Sequence, residues 1–597
     1  MTPRILITGL LGTLVLSAAS HAAPYANSNP TDQRCKFIPG DPGWPSQRQW
    51  ASLNATVGGR LVGTQLQASI CHTEAIGTQP IGLYDEAECA ALREVYDLPQ
   101  NHQGLSAEIL NPYFQGTTCS PWTPPDQPCE LGNYVSYAIN ISAAGDVVAD
   151  VVAGIEFARQ NNVRLIIKNT GHDYSGRSTG KGALSLWMHN LQGYEIIQNY
   201  TSRDYTGPAV RLAAGTQGYQ AMEYVSAAGY RIVGGECPTV GISGGYTSGG
   251  GHSLLNSKYG MAADSVLEWE VVTPQGERVI ATPDGEYSDL FWAMNGGGGG
   301  TWGVALSMTT KIYPEGIVAG AHFSFNATGV STETYWNATA RLYAFMLDYT
   351  DRGNTLTWGQ TNNTFSVLSA TMPDQDATDA AALWAPLLQE FDSLGVMYTF
   401  EPRTDDSYYD HFNLDYGPLP YGNETAATSI FTSRILPRTL VADPSSSESR
   451  AFMDVLEYIT NVRDARFTFG CHAMSVGNWS GIDNAVLSAW RDAMAICVIV
   501  TPWLRDVPFE EMLELKEFTM DDLVPTLENA TPGGAVYMNE IDPLYHGDWK
   551  TTGYGDDKYD RLLAIKKKYD PHHVFWSPMS VGGDEFRTDA DGRVCRA

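Results

Sequence analysis

The sequence predicts an α+β protein built from at least two folded units, and three observations carry that prediction. A chain of 597 residues that is 43% hydrophobic and 11% aromatic can bury a large core and exceeds one ordinary domain. Between about residues 130 and 315, helix-period and strand-period apolar patterns alternate around three glycine-dense loops. From about 316 to 535 the alternation continues with no glycine-rich loop, which marks a second unit of different purpose.

The first elements are not part of the fold. Arg4, an apolar run from Ile5 to Ala19 and small residues at Ala22 and Ala23 read as an export signal over residues 1–23, leaving a mature chain that begins near Pro24. The run is shorter than the roughly 20 residues that span a bilayer, and no later stretch qualifies. Sequons at Asn54, Asn140, Asn199, Asn326, Asn337, Asn362, Asn423, Asn478 and Asn529 agree with an N-glycosylated secretory protein.

Residues 24–129 are rich in Pro, Gly and Cys and read as a disulfide-stapled N-terminal wrap, in which Cys119 and Cys129 bracket a closed loop. Nine cysteines in an oxidising compartment leave one over. Cys35, Cys71, Cys89, Cys119, Cys129, Cys471, Cys497 and Cys595 can supply four bridges, and Cys237, inside a glycine-rich segment, is the odd one out.

In the 130–315 unit, Val148, Val152 and Ile155 recur at helical spacing and lead into a β-branched strand at 163–168 that ends in Asn169-Thr-Gly-His172. A second strand, helix and strand follow at 210–213, 217–228 and 230–233, ending in Gly234-Gly-Glu-Cys237. Residues 266–272 and 278–281 flank Pro274-Gln-Gly276 as a hairpin. A helix at 289–294 then passes through Gly296–Gly300 into a strand at 304–312. Residues 536–597 form a compact aromatic tail that returns to this unit.

A formal charge of −30 opposes nucleic acid and anionic membranes, since no basic stripe offsets it. The expected partner is a small molecule. No His-Glu-x-x-His, Cys-x-x-Cys pair or EF-hand spacing occurs, and His572-His573 reads as a packing feature, so no metal is expected.

Three glycine-dense loops, 171–180, 234–251 and 296–303, let backbone N–H groups approach an anion with no side chain in the way, which points to a dinucleotide site. Gly298-x-Gly300-x-x-Gly303 is not a Rossmann fingerprint, because it follows a helix and precedes a strand. Gly241-Ile-Ser243-Gly-Gly245 and Gly176-Arg-Ser178-Thr-Gly180 match the hydrolase elbow, but neither serine lies on a clear strand-to-helix turn.

Lys168-Asn-Thr-Gly-His-Asp173 with Ser175-Gly-Arg-Ser178, Cys237-Pro-Thr-Val-Gly241 with Gly249-Gly-Gly251, Tyr259-Gly-Met-Ala-Ala-Asp264, Phe291-Trp-Ala-Met-Asn-Gly296 and Tyr569-Asp-Pro571 resemble the berberine bridge enzyme-like branch of the vanillyl-alcohol oxidase flavoprotein superfamily. Pro39-Gly-Asp41, the disulfide-rich lead and Tyr537-Met-Asn-Glu540 are most similar to the fungal isoamyl alcohol oxidase-like proteins. The resemblance implies a two-part FAD-binding domain of the vanillyl-alcohol oxidase (PCMH) type plus a mixed α/β substrate domain.

It further implies FAD held covalently through His172 and also through Cys237. Asn169, Gly171, Asp173, Ser175, Gly176, Gly241, Gly244, Gly251, Gly260, Asp264 and Asn539 are the other implied cofactor contacts. Val240 stands where the family admits oxygen, and a small valine there is the oxidase form, giving hydrogen peroxide from O2.

Two tyrosines common in relatives are replaced here by His252 and Glu540. With Tyr537 these are the candidate acid–base residues, each able to move a proton near neutral pH with modest tuning; packing roles for His252 and Glu540 remain the bland alternatives. Tyr537 and Asn539, two apart on an expected strand, should share a face. The resulting expectation is a secreted oxidase of an alcohol-type substrate. The alternatives are a FAD-linked tailoring oxidoreductase of fungal secondary metabolism and a non-catalytic secreted glycoprotein.

Overall fold

The computed structural model describes residues 35–77, 82, 84–422, 428–479 and 481–597. The expected export signal at 1–23 and the sequon asparagine Asn423 lie outside the described residues.

Three sheets organise the chain. The first joins β1 (Leu61–Gly63), β2 (Tyr137–Asn140), β3 (Leu165–Lys168) and β4 (Leu184–Trp187) in the order β1-β2-β4-β3. β2 and β3 run parallel to β4, while β1 from the leading segment pairs antiparallel with β2. Helix α1 (Val147–Gln160) packs on it because Val151, Ile155 and Ala158 fall on one face at helical spacing and are buried against Leu184 and Leu186. Asp146 caps the helix, its carboxylate accepting from Ala149 N at 3.1 Å.

The second sheet is antiparallel. It joins β5 (Tyr194–Thr201), β6 (Thr206–Ala213), β7 (Val266–Val272), β8 (Arg278–Ala281) and β9 (Val304–Lys311) in the order β8-β7-β9-β6-β5. The hairpin β7–β8 and the helix Ser288–Met294 agree with the sequence reading. Strands β4 and β5 carried no clear pattern in advance. β4 is buried along its whole length and β5 is largely exposed, so neither alternates.

The third sheet has seven antiparallel strands: β10 (Val318–Asn326), β11 (Thr355–Gln360), β12 (Thr364–Pro373), β13 (Tyr398–Asp405), β14 (Ser429–Pro437), β15 (Thr468–Ala473) and β16 (Ala493–Pro502), ordered β13-β10-β12-β11-β15-β16-β14. Helices α2 (Thr332–Asp351) and α3 (Ala377–Leu394) back it with Tyr343, Met346, Trp384 and Phe391.

Strand alternation sorts the central strands into two faces. Leu356, Phe469, Ala473, Ala495, Cys497 and Ile499 enter the helix-backed core. Thr357, Gly359, Thr468, Gly470, His472, Ile496, Val498 and Val500 look the other way and line a cavity.

Four disulfides are present among the described residues: Cys35–Cys595, Cys71–Cys89 and Cys119–Cys129 staple the leading segment, and Cys471–Cys497 joins paired strands β15 and β16 in the core of the third sheet. The 119–129 loop is closed as expected, and Cys237 takes part in none of the four bridges. No helix among the described residues is long and apolar enough to cross a membrane.

Candidate active site

All three glycine loops meet the cavity-facing side of the third sheet around one space of about 690 Å³. Tight loop contact explains the glycines. A Cβ on Gly299 would sit 2.5 Å from Gly245 Cα, and one on Gly241 would collide with the Asn169 amide. At Gly244 and Gly245 an added Cβ would meet no protein atom within 4 Å, and both residues line the cavity, so the bare backbone borders the open space.

Four buried polar atoms on this wall, Asn169 Oδ1, Arg177 Nε, Ser243 Oγ and His252 Nδ1, make no hydrogen bond within the protein. Burying such atoms without partners costs on the order of 1–3 kcal/mol each. A polar, heterocyclic ligand with a pyrophosphate arm would satisfy the first three, so these polar atoms and the glycine cradle fit a flavin dinucleotide.

His172 and Cys237 both line the cavity. Their loops are tied together: His172 Nε2 lies 2.7 Å from Thr239 Oγ1, two residues beyond Cys237. Burial, then the nearby His102 and Lys168, holds the His172 ring down to about 3, so it is a neutral imidazole across the physiological range. Lys168 is itself pushed by burial to about 7 and donates to Leu105 O at 2.9 Å.

Asn169, Gly171, Asp173, Gly241, Gly244, Asn539 and Val240 line the cavity as well. Ser175, Gly176, Gly251, Gly260 and Asp264 do not. Asp264 is placed elsewhere for a clear reason: its oxygens are taken by Arg491 at 2.7 and 2.8 Å, Asn484 at 2.7 Å and Met261 N at 2.9 Å. Gly260 turns the chain beside it at φ +82°. Ser175 and Gly176 support the loop from behind, with Ser175 Oγ donating to Ile541 O at 3.2 Å.

His252, Glu540 and Tyr537 come together on one wall. Glu540 Oε1 lies 2.9 Å from His252 Nε2. Burial favours the neutral ring, but Glu540 and then Glu236 outweigh it and lift His252 above the ordinary imidazole value. Tyr537, raised by burial, stays a neutral phenol whose oxygen accepts from Gly251 N at 3.3 Å and Asn539 Nδ2 at 2.8 Å.

The segment 537–540 is a turn rather than the expected strand. Glu540 N donates to Tyr537 O at 2.9 Å, and pairing with the third sheet is limited to the single bridge Ile435–Ala535. The turn swings Glu540 onto the same wall as Tyr537, whereas an extended chain would have pointed residues three apart to opposite faces.

Two residues on this wall escaped the sequence reading. Glu236 Oε1 lies 2.9 Å from His472 Nδ1 and accepts from Thr357 Oγ1 at 2.8 Å. Burial by itself would raise the Glu236 carboxyl, but the imidazoles of His472 and His252 and the Thr357 hydroxyl bring it to about 2. The available signal was the alternation of 468–473, in which His472 falls opposite the apolar Phe469, Cys471 and Ala473.

The chain matches known proteins along nearly its whole length. Residues 144–282 match the FAD binding domain family, and 536–582 match the family described as berberine and berberine like. A bifunctional decalin synthase of Penicillium decumbens is 45% identical over 589 residues, 98% of this chain and 99% of that protein. A VAO-type flavoprotein oxidase of Thermothelomyces thermophilus is 45% identical over 590 residues, 98% of each. The crystal structure of a VAO-type flavoprotein from Myceliophthora thermophila C1 superposes with TM-score 0.89 at 45% identity, over 94% of this chain and 100% of that one.

Proposed function

The chain belongs to the vanillyl-alcohol oxidase-type, berberine bridge enzyme-like family of FAD-linked oxidoreductases, and on that premise we propose that it is a secreted oxidase acting on an apolar scaffold that carries a hydroxyl group. The observation that carries this reading is the His252–Glu540 pair at 2.9 Å on the wall of a cavity whose other wall is strand side chains.

His172 and Cys237 are the residues assigned to hold FAD covalently. The neutral His172 ring is a competent nucleophile, and Cys237, outside the disulfides, is kept for the same task. FAD, when bound, supplies the hydride acceptor and the route of electrons to O2. The remaining chemistry belongs to the protein.

With Nε2–H donating to Glu540, the Nδ1 of His252 is left as a lone pair that makes no hydrogen bond within the protein. That atom takes the substrate hydroxyl proton, and Glu540 holds the tautomer and stabilises the imidazolium that forms. Tyr537 serves as a neutral hydrogen-bonding group beside the ring. Val240 keeps one part of the wall small and is assigned to oxygen access.

The first two sheets with the 536–597 tail are assigned to the flavin, and the third sheet to substrate. Leu368, Phe431, Ile496, Val498 and Val500 supply an apolar surface, and Arg177 is the one Arg or Lys among the cavity residues. Oligosaccharides need a wall rich in hydrogen-bonding groups; a carbocyclic or aryl skeleton does not. A tailoring role in specialised metabolism fits the same wall, and the decalin synthase relative is named for a carbocycle. Secretion is supported by the four disulfides together with the apolar leader and sequons.

An oxygen-electrode screen of hydroxylated carbocycles, aryl alcohols and oligosaccharides tests this reading. Oxygen uptake matched by peroxide with the first two classes is the expected result. Turnover confined to oligosaccharides would refute it.

A further inference from the structure

We propose that Glu236 is a positioning residue of the reaction: a buried carboxylate which, held in place by His472 and Thr357, fixes the charge state of the His252 proton acceptor independently of Glu540. The proposal rests on the assignment of His252 as that acceptor.

Four observations carry it. Three groups converge on a single oxygen, Glu236 Oε1: His472 Nδ1 at 2.9 Å, Thr357 Oγ1 at 2.8 Å and Tyr416 Oη at 3.3 Å. His472 Nε2 lies 3.1 Å from the Ser253 carbonyl oxygen, so the ring is held at both nitrogens and keeps its place against Glu236. One donor atom from each of Glu236, His252 and His472 lies within 4.8 Å of the others, inside the roughly 4–6 Å over which a charge moves a neighbour's protonation. The rings of His252 and His472 are 5.6 Å apart between centroids.

The fold makes this cluster rigid. Thr357 and His472 are direct cross-strand partners on β11 and β15. Glu236 immediately precedes Cys237, so the carboxylate is anchored to the loop assigned to the cofactor while reaching across to the third sheet.

The other groups around His252 and Glu236 do not compete for the proton. Besides Glu540, Glu236 and His472, they are Tyr537, with its ring 5.6 Å from His252, Tyr246, whose hydroxyl donates to the His252 carbonyl at 2.7 Å, and Tyr408 and Tyr416 beside Glu236. Burial holds Tyr246, Tyr408 and Tyr537 as neutral phenols. Glu236 is therefore the second fixed negative charge on the imidazole. A carboxylate that merely tied the loop to the sheet would leave the pH profile where it was.

The test is the pH dependence of kcat/KM for the flavin-loaded enzyme, paired with a pH titration of its visible absorbance. In Glu236→Gln the limb that reports the proton acceptor should move to lower pH by about one to three units, and Glu236→Asp should restore it toward the wild-type position. In Glu540→Gln/Glu236→Gln the limb should lie lower than in Glu540→Gln alone, a second comparison that keeps the test alive if the single variant fails to load flavin. A limb unmoved by loss of Glu236 in either loaded comparison, with only a pH-independent loss of rate, overturns the proposal. His252→Gln is run in parallel: loss of the limb there with no movement in Glu236→Gln defeats the Glu236 proposal alone, whereas persistence of the limb in His252→Gln defeats the acceptor assignment beneath it.

Discussion

Glu540 Oε1 lies 2.9 Å from His252 Nε2 across 288 residues of chain, and the contact joins the glycine-rich loop to the C-terminal segment at the cavity wall. Exposed ion pairs are worth little, but both side chains here are about 15% exposed or less, so the pair sets chemistry rather than decorating a surface.

Replacing His252 by Gln should lower kcat/KM by about 10²- to 10⁴-fold, the span typical of a lost general base. Flavin content should be retained, which steady-state kinetics on protein matched by visible absorbance would establish.

The pH profile follows from the same contact. His252 must be neutral to accept a proton, and Glu540 and Glu236 raise it above the ordinary imidazole value, so activity should climb with pH through a midpoint above that value. In Glu540→Gln the neutral ring persists to lower pH and the midpoint should fall. A midpoint that rises in Glu540→Gln would reverse the assigned sign.

Covalent attachment can be read without turnover. Acid-precipitated, protease-digested wild-type protein should yield flavin on peptides containing His172 and Cys237. His172→Ala should retain flavin through Cys237 and Cys237→Ser through His172, and the double variant should release it to the supernatant. Mass spectrometry of the peptides decides each case.

Val240→Leu should slow reoxidation by O2 by at least about ten-fold, a barrier increase near 1.4 kcal/mol. Reduction by substrate under anaerobic conditions should be little changed. Stopped-flow absorbance separates the two half-reactions.

Cys35 and Cys595 join the two ends of the described chain across a separation of 560 residues. Cys595→Ser should lower stability by about 2–5 kcal/mol, seen as a reduced thermal midpoint at constant scan rate. Because neither cysteine lines the cavity, kcat of the surviving enzyme should hold.

How much of this was legible in the sequence depends on whether a residue's role is written in its neighbours. The glycine loops, the helix at 147–160, the hairpin at 266–281 and the odd cysteine each announced themselves through local pattern. Strand 184–187 was missed because it is buried on both faces and therefore does not alternate. Asp264 sat in a recognisable motif, yet its carboxylate is consumed by Arg491 and Asn484, which lie more than two hundred residues away. The turn at 537–540 was misread as a strand because ladder pairing ends at the bridge Ile435–Ala535, after which Glu540 N closes a turn onto Tyr537 O, and neither contact is written in the composition.

The sequence by itself determined a dinucleotide site and the α+β architecture, since glycine spacing and apolar periodicity act within a few residues of each other, and its motifs, through the family they resemble, pointed to FAD and the two candidate attachment residues. Only the tertiary structure decided which acid and base face the cavity. Glu236, His472, His252 and Glu540 come from four separate segments, and their protonation depends on charges a few ångströms away in space. Coulombic interaction falls with through-space distance and burial, quantities that position along the chain does not encode.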